Sequence, residues 1–579
     1  MHPLGNEHPP EMDMIRITEL KLPLAAVPFE QRRASDAPAE TEADRGLPPH
    51  PIAALQALAA QVLGVAETVI AELQVFKRSF DARKADLRVV YIVDLRLHDQ
   101  ALQTELLQRL HQHPHVSASP DMVWRPPPRF KATASPDSTR PIVVGFGPCG
   151  MFAALVLAQM GFKPLVIERG KPVRQRTKDT WDLWRRSQLH RESNVQFGEG
   201  GAGTFSDGKL YSQIKDPRHL GRKVMEELVR FGAPEDILFA AHPHVGTFKL
   251  VKVVEGLREE ILRLGGEIWF EHRVCDLQRD AQGGVEALQV ESLERGELRW
   301  VPARQVVLAL GHSSRDTFTM LHRHGVRMQA KPFSIGVRIE HPQSLIDRAR
   351  WGRHAGHPLL GAADYKLVHH ASNGRTAYSF CMCPGGTVVA ATSEPQRVVT
   401  NGMSQYSRNE RNANAGLVVG IDPSDFPQDP ETIERLVGEG RQTVRLDVND
   451  CADGIHPLSG IALQRQLESA AFVAGGGQYL APAQRVGDFL AQRPSVHLGD
   501  VEPSYQPGVT PTDLARVLPD FALQAMREAL PVFGQKIRGF DLPDAVMTGV
   551  ETRTSSPLRI DRDDLTLQSP NCAGPVSYT

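Results

Sequence analysis

The sequence predicts an α/β protein: a body built on a parallel sheet, carrying an inserted α+β domain and preceded by a small, separate α+β domain. Two observations predict it. From Ile142 to Glu168 a short apolar strand, a glycine-rich turn, a helix and a second strand ending on an acid follow one another, the order of a dinucleotide-binding βαβ unit. Ahead of it, residues 14 to 125 read β-α-β-β-α-β, the ferredoxin-like order. A chain of 579 residues has room for about four domain-sized units.

Composition narrows the function classes. Lys plus Arg is 66 and Asp plus Glu is 68, a formal net charge of −2, so the chain as a whole has no attraction for a phosphate backbone and a nucleic-acid partner is not expected. With 41% hydrophobic and 23% charged residues it reads as folded rather than disordered. Six cysteines, at 149, 275, 381, 383, 451 and 572, are too few and too scattered for a disulfide scaffold and predict a reducing, cytoplasmic location. The run from Pro141 to Phe162 has 22 residues without a charge, enough on count to cross a bilayer. Its four glycines and Pro148, and the charged Glu168-Arg169-Gly170-Lys171 that follows, predict no membrane span. The first twenty residues lack the basic start and apolar core of a secretory signal.

In chain order, the pattern predicts a strand over 15–22, a Pro/Ala/Glu-rich spacer over 34–51, a helix over 52–63, strands over 73–80 and 87–97, a helix over 100–111 and a last strand within 116–124. Arg125-Pro126-Pro127-Pro128 and the Ser/Pro stretch to Arg140 predict a stiff linker. The domain division is therefore 14–125 for the ferredoxin-like domain, 126–140 for the linker, 141–325 for the first part of the dinucleotide domain, 326–490 for the inserted domain and 491–579 for the return. The tail is predicted to hold a helix over 511–530 and a β stretch over 546–560.

The turn Gly145-Phe146-Gly147-Pro148-Cys149-Gly150 has the spacing G-x-G-x-x-G. The first glycine permits the tight turn, the second lets a pyrophosphate approach the backbone, and the third lets the following helix, predicted from Cys149 to Met160, pack on the strand. Strand 165–167 ends on Glu168, 18 residues after the third glycine, where a carboxylate accepts hydrogen bonds from a ribose. Further on come a helix over 248–264, strands over 267–272 and 273–277, a turn at 280–284 and a strand over 306–311. A second glycine-rich stretch has five glycines between Gly198 and Gly208, flanked by Thr204, Ser206 and Lys209. Its backbone is suited to close approach to a flat or phosphorylated ligand, and Phe197, Phe205 and Leu210 argue against a free surface loop.

The segments 142–170, 194–219, 331–348, 354–397, 400–412 and 500–559 resemble a largely uncharacterised bacterial family of FAD-dependent dehydrogenases within the glutathione-reductase-like superfamily of flavoprotein oxidoreductases. The resemblance covers most of the chain, and Asn194–Asp216 and Thr548–Pro557 are its most specific stretches. It implies a Rossmann-type FAD-binding domain with an inserted substrate domain, and one FAD held by Gly145, Phe146, Gly147, Pro148, Cys149, Gly150, Glu168, Arg169, Gly200, Gly201, Thr204, Phe205, Val274 and Gly311. It also implies that Lys209 and Arg553 stabilise negative charge on reduced flavin and that Thr554 or Cys383 contacts the substrate. Family members continue into a Gly-Glu-Gly-Ala-Gly type segment and a final helix where this chain has Asn571 to Thr579. The expectation is a shortened product that holds FAD weakly.

The function expected from these readings is transfer of a hydride or two electrons between a small-molecule substrate and bound FAD. The sequence has no second G-x-G-x-x-G set between a strand and a helix as a Rossmann unit for NAD(P)H, so NAD(P)H is expected only as a transient visitor. Metal is not expected: Cys381-Met382-Cys383 has no matching second pair, the histidine pairs lack ligand spacing, and Asp447–Asp453 has Ala452 where a calcium loop needs glycine. A competing reading is a flavin-bound RNA- or partner-binding protein that uses Lys77, Arg78, Arg83, Lys84 and Arg88, with Phe76 and Phe80 beside them. An inactive shortened product is the third.

Overall fold

A computed structural model describes residues 14–28, 50–83, 86–129, 140–211, 214–438 and 454–577. The 34–51 spacer, apart from its last two residues, most of the 126–140 linker, Lys84 and all of 447–453 lie outside the described residues.

The first elements are β1 (Ile15–Pro23), α1 (Ile52–Leu63), β2 (Ile70–Asp81), β3 (Arg88–Leu97), α2 (Gln100–Arg109) and β4 (Val116–Ala118). They form an antiparallel sheet in the order β2-β3-β1-β4, which is the ferredoxin-like arrangement. Local chemistry sets the helix ends. α1 stops at Gly64, whose φ of 68° is the left-handed cap, and the Asp99 side chain accepts the amides of Ala101 and Leu102 to start α2. Ile15, Ile17, Val89, Val93 and Leu95 are fully buried against Leu55, Ala59 and Leu106 of the helices. Phe80 packs on this core, whereas Phe76 is the extra residue of a bulge and lies under the Arg16 guanidinium at 3.7 Å, so the two rings do not form one stacking platform.

The body follows with β5 (Ile142–Val144), α3 (Pro148–Gln159), β6 (Leu165–Ile167), α4 (Val173–Arg186), α5 (Leu220–Arg230), α6 (Thr247–Arg263), β7 (Glu267–Trp269), β8 (His272–Arg279), β9 (Val285–Ser292), β10 (Glu297–Pro302) and β11 (Val306–Leu308). Strands β11, β5, β6 and β7 lie side by side and parallel. The residues of β5 and β6 are all buried, as expected for a parallel sheet covered on both faces. β8, β9 and β10 make a separate antiparallel meander.

The remaining elements are α7 (Arg315–Arg323), β12 (Met328–Ala330), β13 (Phe333–Pro342), α8 (Gln343–Trp351), β14 (Val368–His370), β15 (Thr376–Ala390), β16 (Thr400–Ser404), β17 (Asn412–Ile421), α9 (Pro430–Val437), α10 (Ser459–Ala474), β18 (Ala481–Arg485), α11 (Val486–Leu490), β19 (Val509–Pro511), α12 (Asp520–Lys536), β20 (Val546–Glu551), β21 (Leu558–Ile560), β22 (Gln568–Ser569) and β23 (Cys572–Ser577). An eight-stranded sheet runs β14-β15-β17-β13-β20-β18-β19, with β16 on β15, and its centre, β13, is buried on both faces. β21 returns to pair β12, and β23 adds to the parallel sheet beside β11.

Two predicted elements shift. The helix expected over 511–530 starts at Asp520 and runs to Lys536, because Pro519 ends the preceding segment and Asp513 caps a separate 3-10 turn at Leu514–Arg516. The β stretch expected over 546–560 breaks after Glu551, where Thr552, Arg553 and Thr554 take polar partners away from the ladder.

The chain divides into two compact units. Lys209–His244 and Arg350–Gly361 cluster with Met1–Arg125, and the rest forms the second unit. Within the first, Arg78 of β2 exchanges backbone hydrogen bonds with Phe239 and Ala241 at 2.8 and 3.0 Å. Among the described residues, no helix is long and apolar enough to cross a membrane.

In the second unit Phe540 is fully buried, with the rings of His341, Tyr365 and Phe533 at 4.5, 5.3 and 5.6 Å. Phe540→Ala should destabilise the unit by about 3 to 5 kcal/mol, read as a lower midpoint in chemical denaturation.

Candidate functional site

Where β5 ends, the chain turns so tightly that side chains are excluded. A Cβ on Gly145, which has φ +99°, would lie 2.3 Å from the Ala309 carbonyl oxygen, and one on Gly150 would lie 2.0 Å from the Gly145 oxygen. α3 then starts at Pro148 with Gly147 as its N-cap and no side-chain cap. The amides of its first turn and its positive dipole end are therefore left for an anion. Beside this turn lies a crevice of about 370 Å³.

Glu168, at the end of β6, organises the crevice. It is 5% exposed, and its Oε2 accepts the Phe146 N–H at 2.7 Å while Oε1 accepts the N–H groups of Gly170 and Gly198 at 2.8 and 2.9 Å. One carboxylate thus ties together the glycine turn after β5, the segment after β6 and the second glycine-rich loop. Bonds to an ionised group contribute about 1.5 to 3 kcal/mol each. The backbones meet closely here, since a Cβ on Gly170 would lie 2.4 Å from Gly198 Cα. From behind, the fully buried Arg176 donates to the carbonyls of Asn194, Val195 and Glu199 at 2.6 to 2.7 Å. Burial pulls its guanidinium down to about 10, against the pull of Glu168 and Glu199.

The residues singled out from the sequence divide into two groups. Gly145 to Cys149, Glu168 and Arg169 line the crevice, as do Gly201, Val274 and Gly311. Gly150, Gly200, Thr204 and Phe205 support it from outside the lining. Gly200 N–H donates to Phe146 O at 2.9 Å, Thr204 Oγ1 reaches Glu199 O at 3.5 Å, and Phe205 packs edge-on against Trp184. Arg169 lies over the Phe197 ring at 4.1 Å and pairs with Glu192 and Asp316, while Arg273 pairs with Glu192 and Glu291.

Comparison with known proteins identifies the family. The sequence model described as "FAD-dependent protein, C-terminal domain-like" matches residues 332–554, and a domain of unknown function matches residues 14–96. An uncharacterized protein of Clostridium beijerinckii is 43% identical over 524 residues, 88% of each chain. The chain belongs to this family of FAD-dependent proteins. Among solved structures, the FAD complex of glycerol-3-phosphate dehydrogenase from Bacillus halodurans is 13% identical, with a TM-score of 0.26 over 55% of this chain and 56% of that one. A flavoprotein/dehydrogenase from Cytophaga hutchinsonii is 14% identical, with a TM-score of 0.26 over 52% and 61%. The chain spans less than two thirds of either structure.

The crevice of this FAD-dependent protein fits the dinucleotide. Gly147 and Gly201 face each other across it, where a Cβ on Gly201 would lie 2.9 Å from Gly147 Cα, so bare backbone and the start of α3 are left to hold a pyrophosphate. Glu168 Oε2 accepts one hydrogen bond and keeps acceptor capacity for a ribose hydroxyl. His312 also lines the crevice, and its Nδ1 has no hydrogen-bond partner. Burial, with Arg553 and Arg315 nearby, pushes this imidazole down to about 3, so it is neutral at physiological pH.

The four residues expected to carry chemistry are not gathered in the lining. Lys209 belongs to the first unit. Cys383 is fully buried in β15, its Sγ 3.4 Å from the Cys381 carbonyl oxygen, and Thr554 exchanges hydrogen bonds with the Ser334 backbone at 3.1 Å. Arg553 reaches the crevice through another residue. Its Nε and Nη2 donate to Glu468, and its Nη1 donates to Ser313 Oγ at 3.0 Å and Ser393 Oγ at 2.8 Å; Ser313 then donates to Gln196 Oε1 at 2.9 Å. Ser313 and Gln196 both line the crevice. Arg315 completes the cluster on Glu468 and Glu394. Burial alone would raise Glu468, but Arg315 and Arg553 hold it down to about 2.

Sequence reasoning missed Gln196, His312, Ser313, Arg315 and Glu468. The signal available was His312-Ser313-Ser314-Arg315 immediately after β11, where a crevice residue is expected. Among the described residues, Asp179, Asp182 and His190 bring potential metal-ligand atoms within 4.8 Å of one another, but Lys171 pairs with Asp179 at 3.1 Å and supplies the countercharge.

Substitutions at two residues test the site. Glu168→Ala strands three buried amides, and FAD affinity measured by fluorescence titration should fall at least tenfold, whereas Glu168→Gln, which keeps acceptor oxygen for part of the set, should lose less. Arg553→Met leaves Glu468 with one arginine fewer and should cost about 3 to 5 kcal/mol, measured by denaturation of FAD-saturated protein.

Proposed function

We propose that this FAD-dependent protein is an oxidoreductase that moves a hydride, or two electrons, between a small-molecule substrate and FAD in the crevice. The observation that carries the reading is the Glu168 latch, which shapes two glycine loops into a dinucleotide-sized floor. FAD, when bound, supplies the redox chemistry. The chain's own residues bind and orient. Gly147 and Gly201 give the backbone floor, Arg169 and Arg273 form a neutralised wall beside the adenosine half, and Arg553 orients Ser313 and Gln196 at the crevice. A reduced nicotinamide serving as donor would visit transiently, because among the described residues one strand–glycine turn–helix unit, β5 to α3, has the dinucleotide-binding order.

Purified protein reconstituted with excess FAD and desalted should keep about one flavin per chain, visible as the flavin absorption band. Anaerobic addition of NADH or NADPH should bleach that band for at least one of the two. A chain that retains no flavin after reconstitution contradicts the reading.

A further inference from the structure

The antiparallel meander ends in an edge strand. β9 pairs with β10 on one side, and among the described residues no strand pairs with it on the other. Glu297, Leu298, Arg299 and Trp300 are all exposed, Leu298 by 58% and Trp300 by 46%. Sheet edges are commonly blunted by a bulge, a proline or unpaired charge, which turn away a further strand. β10 has no bulge: its register with β9 runs unbroken from Glu297 opposite Ser292 to Pro302 opposite Ala287. Its proline comes only at the far end, and its two charges, Glu297 and Arg299, are opposite in sign and two residues apart.

Hydrogen-bond parity decides which backbone groups are free. The Ala303 N–H donates to Glu286 O at 2.9 Å in continuation of the same register, so the odd-numbered residues of β10 turn their N–H and C=O towards β9. Those of Leu298 and Trp300 therefore point out of the edge, and Pro302, which has no N–H, closes the row. The side chains sort by the same alternation. Val301 packs on the core of the body and the Arg299 guanidinium lies over the Trp269 ring at 3.8 Å. Residues 297, 299 and 301 thus share the inner face, and Leu298 and Trp300 share the outer one.

We propose that this edge pairs antiparallel with the same edge of a second copy of the chain, about a two-fold axis through Leu298, joining two three-stranded meanders into one six-stranded sheet. Leu298 then exchanges both backbone hydrogen bonds with Leu298 of the other copy. In that register Glu297 stands opposite Arg299 of the other copy, once at each end, and Trp300 stands opposite Gly296, which has no side chain to obstruct the indole. The Glu297 carboxylate has no ion-pair partner within its own chain among the described residues, so the second copy supplies it. The neighbouring registers are excluded. An axis through Arg299 sets two guanidiniums directly opposite each other, and an axis through Trp300 sets Pro302, without an N–H, against the Leu298 carbonyl. This self-complementarity selects a second copy over an unrelated strand, and it holds whatever reaction the crevice supports.

The test is sedimentation velocity on the full chain at about 1 to 100 µM, since a strand-edge contact is smaller than a standard interface and is expected to be weak. Wild type should pass from monomer to dimer over this range. Arg299→Glu and Glu297→Arg each set like charges opposite one another at both ends of the pair and should raise the dissociation constant at least about tenfold. The double variant Glu297→Arg/Arg299→Glu restores both pairs and should return to within about threefold of wild type. Leu298→Pro removes an N–H that the monomer leaves unpaired, and should abolish the dimer while the thermal midpoint of the monomer stays within a few degrees. A wild type that is monomeric throughout overturns the proposal, including the case in which the edge receives a different protein. So does a dimer that the single reversals leave intact, or one that the double variant does not recover. Should Leu298→Pro not fold, the charge-reversal set decides alone.

Discussion

A single buried carboxylate holds the crevice together. Glu168 accepts amides from three segments that are far apart in sequence, and each of those amides would be left unpaired in an apolar setting without it. The glycines follow from this constraint. Phe146, Gly170 and Gly198 can converge on one side chain only if their backbones come within contact of each other, and a Cβ at Gly170 or Gly198 would collide with the opposing loop or with Arg176. Arg176 is the complementary half of the device. It pins the carbonyls of the second loop from behind while Glu168 draws in the amides from the front, so the loop is fixed by its own backbone polarity rather than by side-chain packing alone.

A second buried charge cluster connects this crevice to the eight-stranded sheet. Glu468 of α10 is shared by Arg315, at the start of α7, and Arg553, just after β20. Glu394 adds a second acid to the cluster through Arg315 and is itself shared with Arg465. Such a network is a poor source of net stability, because desolvation offsets much of the attraction, but it is intolerant of losing one member. Its contribution to function is positional. Arg553 fixes Ser313, Ser313 fixes Gln196, and both face the ligand space. The sheet domain therefore meets the crevice through oriented hydroxyl and amide groups.

Much of this was legible in the sequence for physical reasons that act locally. Strand, glycine turn, helix and acid follow one another within Ile142–Glu168, and the alternation in the first 125 residues gave the ferredoxin-like order. The second glycine-rich stretch was recognisable as a ligand loop, but Gly200, Thr204 and Phe205 turned out to support it from behind, because one-dimensional spacing does not say which side of a loop faces the cavity. Lys209 looked like part of the same loop. One residue earlier, at Gly208, the second unit ends, and the backbone of Lys209 pairs with His244 in the first. Arg553 and Glu468 are 85 residues apart, and no periodicity connects an arginine after a strand with a glutamate in the middle of a helix. The sequence signals were strong where backbone geometry dictates residue type and weak where long-range charge pairing does.

The most direct measurement is a crystal structure of the FAD-reconstituted protein. The pyrophosphate is expected between Gly147 and Gly201 at the start of α3 and the adenosine beside Glu168, with the Glu168 bonds to Phe146, Gly170 and Gly198 intact. A flavin bound elsewhere on the chain, or a crevice in which Glu168 has released those three amides, would contradict it.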